Sequence, residues 1–139
     1  MTTQTLSPYN PMLILIYGED SFRVAEKVRQ LKDAFRQKYD PTGYNTVSFP
    51  SDDSNKLEVS EVLQSACSFP FLGSRRMVLV NGLFSFLKKT DEKIWLDGFN
   101  RMPESSIVVL WEEIETKVVE KKQWVKDFSK TAEVHTYPF

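Results

Sequence analysis

The chain has 139 residues, 41% of them hydrophobic and 27% charged, with a formal net charge of −1. That length and balance suit one domain with a core of its own, and they argue against wholesale wrapping of nucleic acid while leaving a local basic patch open. A single cysteine, Cys67, excludes an intramolecular disulfide framework and suits a reducing compartment.

Residues 1–11 carry neither the helical nor the strand period and read as a flexible leader, with residues 12–139 forming one α/β domain. Met1 to Asn10 lacks the basic start and apolar core of a secretory signal, and the apolar runs are too short to span a bilayer, so a cytoplasmic location is expected. Met12-Leu13-Ile14-Leu15-Ile16-Tyr17 is a continuous apolar run stopped by Gly18, the pattern of a strand buried on both faces. Val24, Val28, Leu31 and Phe35 follow at helical spacing, and Pro41 and Gly43 close that helix. Tyr44 to Phe49 alternates as a second strand. Val59, Val62, Leu63 and Ala66 make another helical stripe, and Met77 to Val80 a third strand.

A helical region between Phe84 and Phe99 is expected to break near Thr90-Asp91. Ile107-Val108-Val109-Leu110-Trp111 reads as the fourth strand. Val118 to Phe128 reads as one further helix anchored by Trp124, Val125 and Phe128, and Glu133 to Tyr137 as a last strand. Strands alternating with helices at this spacing predict an open, mostly parallel sheet covered on both faces. The abrupt finish at Pro138-Phe139 suits a domain excised from a longer protein.

A parallel sheet raises the question of nucleotide binding. The turn Gly18-Glu19-Asp20-Ser21 stands where a phosphate loop would sit, but the Gly-rich run ending in Gly-Lys-Ser/Thr is missing. Glu19 and Asp20 would repel phosphate, and Asp20 suits a helix cap instead. Neither a nucleotide cofactor nor a metal is expected. Glu112, Glu113 and Glu115 lack a paired histidine array, so solvated charge or local salt bridges is the favoured reading over a partner or metal role. The sole histidine, His135, has no nucleophile signature nearby and is placed structurally. Cys67 has no Cys-x-x-Cys partner and reads as a small buried thiol. No catalytic residue emerges. Lys122, Lys126 and Lys130, with the pair Lys117 and Lys121, recur at helical spacing; they form either a basic ridge suited to phosphate or acidic protein surface, or a solvated helix face.

The most informative stretch is Cys67-Ser68-Phe69-Pro70-Phe71-Leu72-Gly73-Ser74-Arg75-Arg76. Phe69, Phe71 and Leu72 lie in a connection punctuated by Pro70 and Gly73, where no regular period is available. Such connections run over the surface. The cluster therefore either projects as an apolar knob able to grip another protein, or folds back as a lid over the core.

In this stretch, in Leu13 to Phe22, in Met77 to Asn81 and in Ile107 to Trp111, the chain resembles the N-terminal domain of the delta subunit of the bacterial DNA polymerase III clamp loader. The order and separation of these pieces carry the likeness across nearly all of the chain after the leader. The resemblance implies an ATPase-like fold that has lost its phosphate loop, and a domain that binds the DNA sliding clamp and helps open it during DNA replication. It further implies that Phe71 and Leu72 enter an apolar pocket on the clamp, in the reverse of the family's Leu-Phe order. Gly73 and Ser74 would then turn the loop back to the strand, and Arg75 and Arg76 would meet acidic partner surface or mark a solvated strand entrance. Phe69 would matter less to binding if it packs beneath the loop. Other loader subunits would be met through domains absent from this chain, and DNA contact would be indirect or weak. The alternatives are a generic α/β protein-interaction domain and, less favoured, an unconventional nucleotide-binding enzyme.

Overall fold

The computed structural model describes residues 11–51, 56–128 and 133–139. The expected leader, apart from Pro11, falls outside them, as do Lys130 and the side chain of Phe128. Five strands, β1 (Met12–Gly18), β2 (Thr46–Phe49), β3 (Arg76–Asn81), β4 (Ser106–Glu113) and β5 (Glu133–Pro138), pair in the order β2-β3-β4-β1-β5. All four pairings are parallel, with Leu15 facing Leu110 on one side and Thr136 on the other.

The three central strands, β3, β4 and β1, are apolar runs because the sheet is covered twice. Leu13, Leu15, Tyr17, Val78, Val80, Val108 and Leu110 point to one face, and Ile14, Ile16, Met77, Leu79, Ile107 and Val109 to the other. Alternate residues of one strand thus enter different cores. The second face is covered by α1 (Ser21–Tyr39), which contributes Val24 and Phe35. The first is covered by α2 (Val59–Ala66), α3 (Leu83–Phe86), α4 (Glu92–Phe99), α5 (Thr116–Glu120) and α6 (Gln123–Phe128), with Trp95, Phe99 and Trp124 filling the space. Asp20 caps α1 as its position suggested, Oδ1 accepting the Arg23 N–H at 3.1 Å.

Two expectations change. The second strand begins at Thr46 rather than Tyr44, because Tyr44 and Asn45 complete the turn out of α1. The single helix expected over Val118 to Phe128 is two short ones, broken at Lys121-Lys122. Val119 and Trp124 are both buried against the first face, yet five positions apart on an unbroken helix they would point about 140° apart. The break turns Trp124 back to stack on Phe84, ring centroids 5.8 Å apart. The break expected near Thr90-Asp91 is present as a 3-10 turn at Lys89–Asp91.

Candidate functional site

In a parallel sheet every connection that enters a strand lies at one end and every connection that leaves lies at the other. The turn into β2 and the loop into β3 are therefore neighbours, since β2 and β3 pair. Asp40 ends α1 and is buried; its Oδ2 accepts the Asn45 N–H at 3.0 Å and the Thr46 hydroxyl at 2.6 Å. The Asn45 carbonyl accepts the Met77 N–H at 2.8 Å. So held, the Asn45 side chain reaches across to Phe71, Oδ1 accepting its N–H at 2.7 Å and Nδ2 donating to its carbonyl at 2.8 Å.

That pair fixes the middle of the apolar loop while its side chains stay outside. Phe69, Phe71 and Leu72 are 78%, 59% and 91% exposed, so the cluster projects and is no lid. Phe69 does not pack beneath the loop. The sharp turn falls on Leu72, whose φ of 52° lies in the left-handed region that β-carbons disfavour. Gly73 serves another purpose: a β-carbon there would lie 3.0 Å from Asn45 Nδ2, against the amide that fastens the loop. Ser74 is exposed beside it.

The two arginines part company. Arg75 lies over the Tyr39 ring, 5.5 Å from its centroid. Arg76 turns inward, Nε donating to the Ser65 carbonyl at 3.0 Å and Nη2 to Ser65 Oγ at 2.9 Å, which ties the end of α2 to the start of β3. Partial burial lowers its pKa, with Asp40 opposing that shift. The sequence marks none of Asp40, Tyr44 and Asn45 as part of this site. Asp40-Pro41-Thr42-Gly43 does signal a turn, but nothing local to Asn45 points to a partner 26 residues away.

At the opposite end of the sheet only Glu19 and Asp20 separate β1 from α1, too few to wrap a phosphate. Gly18, at φ 142°, is needed for close approach: a β-carbon would lie 2.3 Å from the Phe139 carbonyl carbon. The Phe139 N–H donates to the Tyr17 carbonyl at 2.8 Å and so carries the pairing with β1 one residue past β5. Glu112 accepts from the Ser85 N–H at 3.1 Å and from its hydroxyl, and Glu113 and Glu115 are exposed. Among the described residues, no group of three or more His, Cys, Asp and Glu side chains could hold a metal. His135 is exposed on β5 with Nε2 3.0 Å from Glu133 Oε2. Cys67 is half-buried; its thiol donates to the Gly98 carbonyl at 3.4 Å, and burial pushes its pKa up against the pull of Arg101. Lys117 and Lys121 are exposed around α5, Lys122 is half-buried at the break, and Lys126 is exposed one turn further on, in α6.

These features define an α/β domain of P-loop-like fold with no phosphate loop after its first strand and its exposed apolar loop at the other end of the sheet. Residues 14–137 match the family model described as DNA polymerase III, delta subunit, and the chain belongs to that family. Among solved structures it is similar to the DNA clamp loader delta protein of Bacillus subtilis, with 21% identity and a TM-score of 0.61 over 94% of this chain and 39% of that one. It is also similar to a DNA polymerase III gamma subunit-related protein of Thermotoga maritima, with 15% identity and a TM-score of 0.63 over 94% of this chain and 42% of that one. At these identities the likeness is one of fold, and the chain spans about two-fifths of each structure's length. No curated protein matches the chain. Among the described residues no helix is long and apolar enough to cross a membrane.

Proposed function

We propose that this domain binds the DNA sliding clamp and helps to open it during replication, with Phe71 and Leu72 as the principal anchors. The observation that carries this function is the exposed Phe71-Leu72 pair, held on a fastened loop in a chain of the delta-subunit family. Burying two such side chains is worth roughly 1.5–3 kcal/mol each before ordering costs, and a loop already held in shape loses little of that gain.

The work is done by binding energy rather than by bond chemistry. A ring interface opens when the domain binds its opened or strained state more tightly than its closed state. ATP-driven timing then belongs to other loader subunits, met through domains outside this chain. The domain has no independent enzymatic activity, and Arg75 joins the interface as a steering charge. Phe69, Gly73 and Ser74 support the loop's shape and contact area. Lys122, Lys126 and Lys130 contribute weak or indirect DNA contact at most. The protein works in the cytoplasm, beside the clamp and away from membranes.

Titration of the folded chain with the sliding clamp of the same organism tests this function. Saturable binding that is lost in the combined Phe71→Ala, Leu72→Ala variant supports it. Unchanged affinity in that variant, with its fold intact, overturns it.

A further inference from the structure

Tyr44 ends the turn into β2, and Phe71 stands on the loop into β3. Their rings meet edge to face, centroids 6.0 Å apart and planes at 86°. Both rings remain exposed, Tyr44 by 68%. A contact made in water between two large rings leaves a joined apolar patch, of the kind that monomers seldom keep without a partner. Tyrosine is also favoured at interface hot spots, since it brings a large contact area for the loss of only two side-chain torsions.

The residue next to Tyr44 holds the other half of the patch. Asn45 is 2% exposed, and its amide makes both bonds to the Phe71 backbone. One dipeptide thus supplies a contact ring and the fastener of the opposing loop. Asp40 and Met77 fix that dipeptide in turn through the Asn45 N–H and carbonyl. The Tyr44 and Phe71 rings consequently sit on two connections that cannot shift independently.

We infer that the clamp-binding surface spans two loops, with Tyr44 as a third contact residue beside Phe71 and Leu72 and Asn45 as the residue that positions them. This rests on the function proposed above. The occupant is the same clamp, because the Tyr44 ring is continuous with the Phe71 ring proposed to enter it. Asn45 is a positioning residue, acting through the Phe71 backbone.

The test is titration of the full chain with the cognate clamp, in four variants: Tyr44→Ala, Asn45→Ala, the Phe71→Ala, Leu72→Ala double, and the double combined with Asn45→Ala. Tyr44→Ala should weaken binding about five- to tenfold with thermal stability unchanged, because the ring is exposed. Asn45→Ala should weaken binding in the otherwise native chain, add nothing in the double variant, and speed hydrogen exchange at the Phe71 amide. Wild-type affinity in Tyr44→Ala, alongside lost binding in the double variant, overturns the two-loop surface and leaves the proposed function standing. Unchanged binding in the double variant overturns both. Equal losses from Asn45→Ala in the native and double backgrounds overturn its positioning role.

Discussion

Asn45 and Phe71 are 26 residues apart in the chain and are joined by two hydrogen bonds, side-chain amide to backbone, in which each residue both donates and accepts. The arrangement imitates one rung of a β-ladder at a point where neither residue belongs to a strand. It also accounts for the left-handed Leu72: a conformation costing roughly 1–2 kcal/mol persists because the residue before it is held at both its N–H and its carbonyl. A loop held in this way has little left to order on binding.

The anchors should be separable from the fold. Phe71 and Leu72 are exposed, so replacing both by alanine should leave the urea midpoint close to that of the native chain. Clamp affinity should fall by at least about 2 kcal/mol, roughly thirtyfold. Titration at matched ionic strength measures the loss, and circular dichroism checks the fold.

The two adjacent arginines should behave differently. Arg76→Ala removes both bonds to Ser65 and should destabilise the domain by about 1.5–3 kcal/mol in urea unfolding. Arg75→Ala gives up a contact with the Tyr39 ring and should cost no more than about 1 kcal/mol of stability. It should slow association with the clamp, most visibly at low salt. Stopped-flow binding across a range of ionic strength reads the second effect; equal destabilisation by the two changes would contradict the division of roles.

Stability should fall in strong alkali through one tyrosine. Burial pushes the Tyr17 hydroxyl up from 10.0 to about 12, and its hydrogen bond to Glu120 Oε2, at 3.1 Å, adds to the rise. Between those values the unfolded chain releases the proton while the folded chain keeps it. The contribution is therefore whole below about pH 10 and is lost as pH climbs toward 12. Tyr17→Phe should flatten that part of the stability profile, measured by denaturant melts at stepped pH.

Nucleotide should find no seat beside β1. Glu19 is exposed, the Asp20 carboxylate caps α1, and the Phe139 backbone closes over Gly18. Calorimetry with magnesium and ATP should show no saturable one-to-one heat. Tight binding with steady phosphate release, abolished by Ser21→Ala, would contradict this.

The order of strands and helices was legible in the residues themselves, because the two periods are local: Leu13 to Tyr17 and Ile107 to Trp111 read as doubly buried strands from their own composition. The exposed loop was legible as a place, since Pro70 and Gly73 deny it a regular period, and the cap on the helix after β1 was legible from Asp20. Whether Phe69, Phe71 and Leu72 faced solvent or core was decided only when β2 and β3 became neighbours, which brought Asn45 under Phe71. The same holds for Arg75 and Arg76, identical in type and adjacent in the chain, of which only the second reaches Ser65. It holds too for the helix break at Lys121-Lys122, imposed by where Phe84 left room for Trp124. Each of these depends on a partner distant in sequence, and a contact of that kind leaves no trace in the spacing of residues on either side.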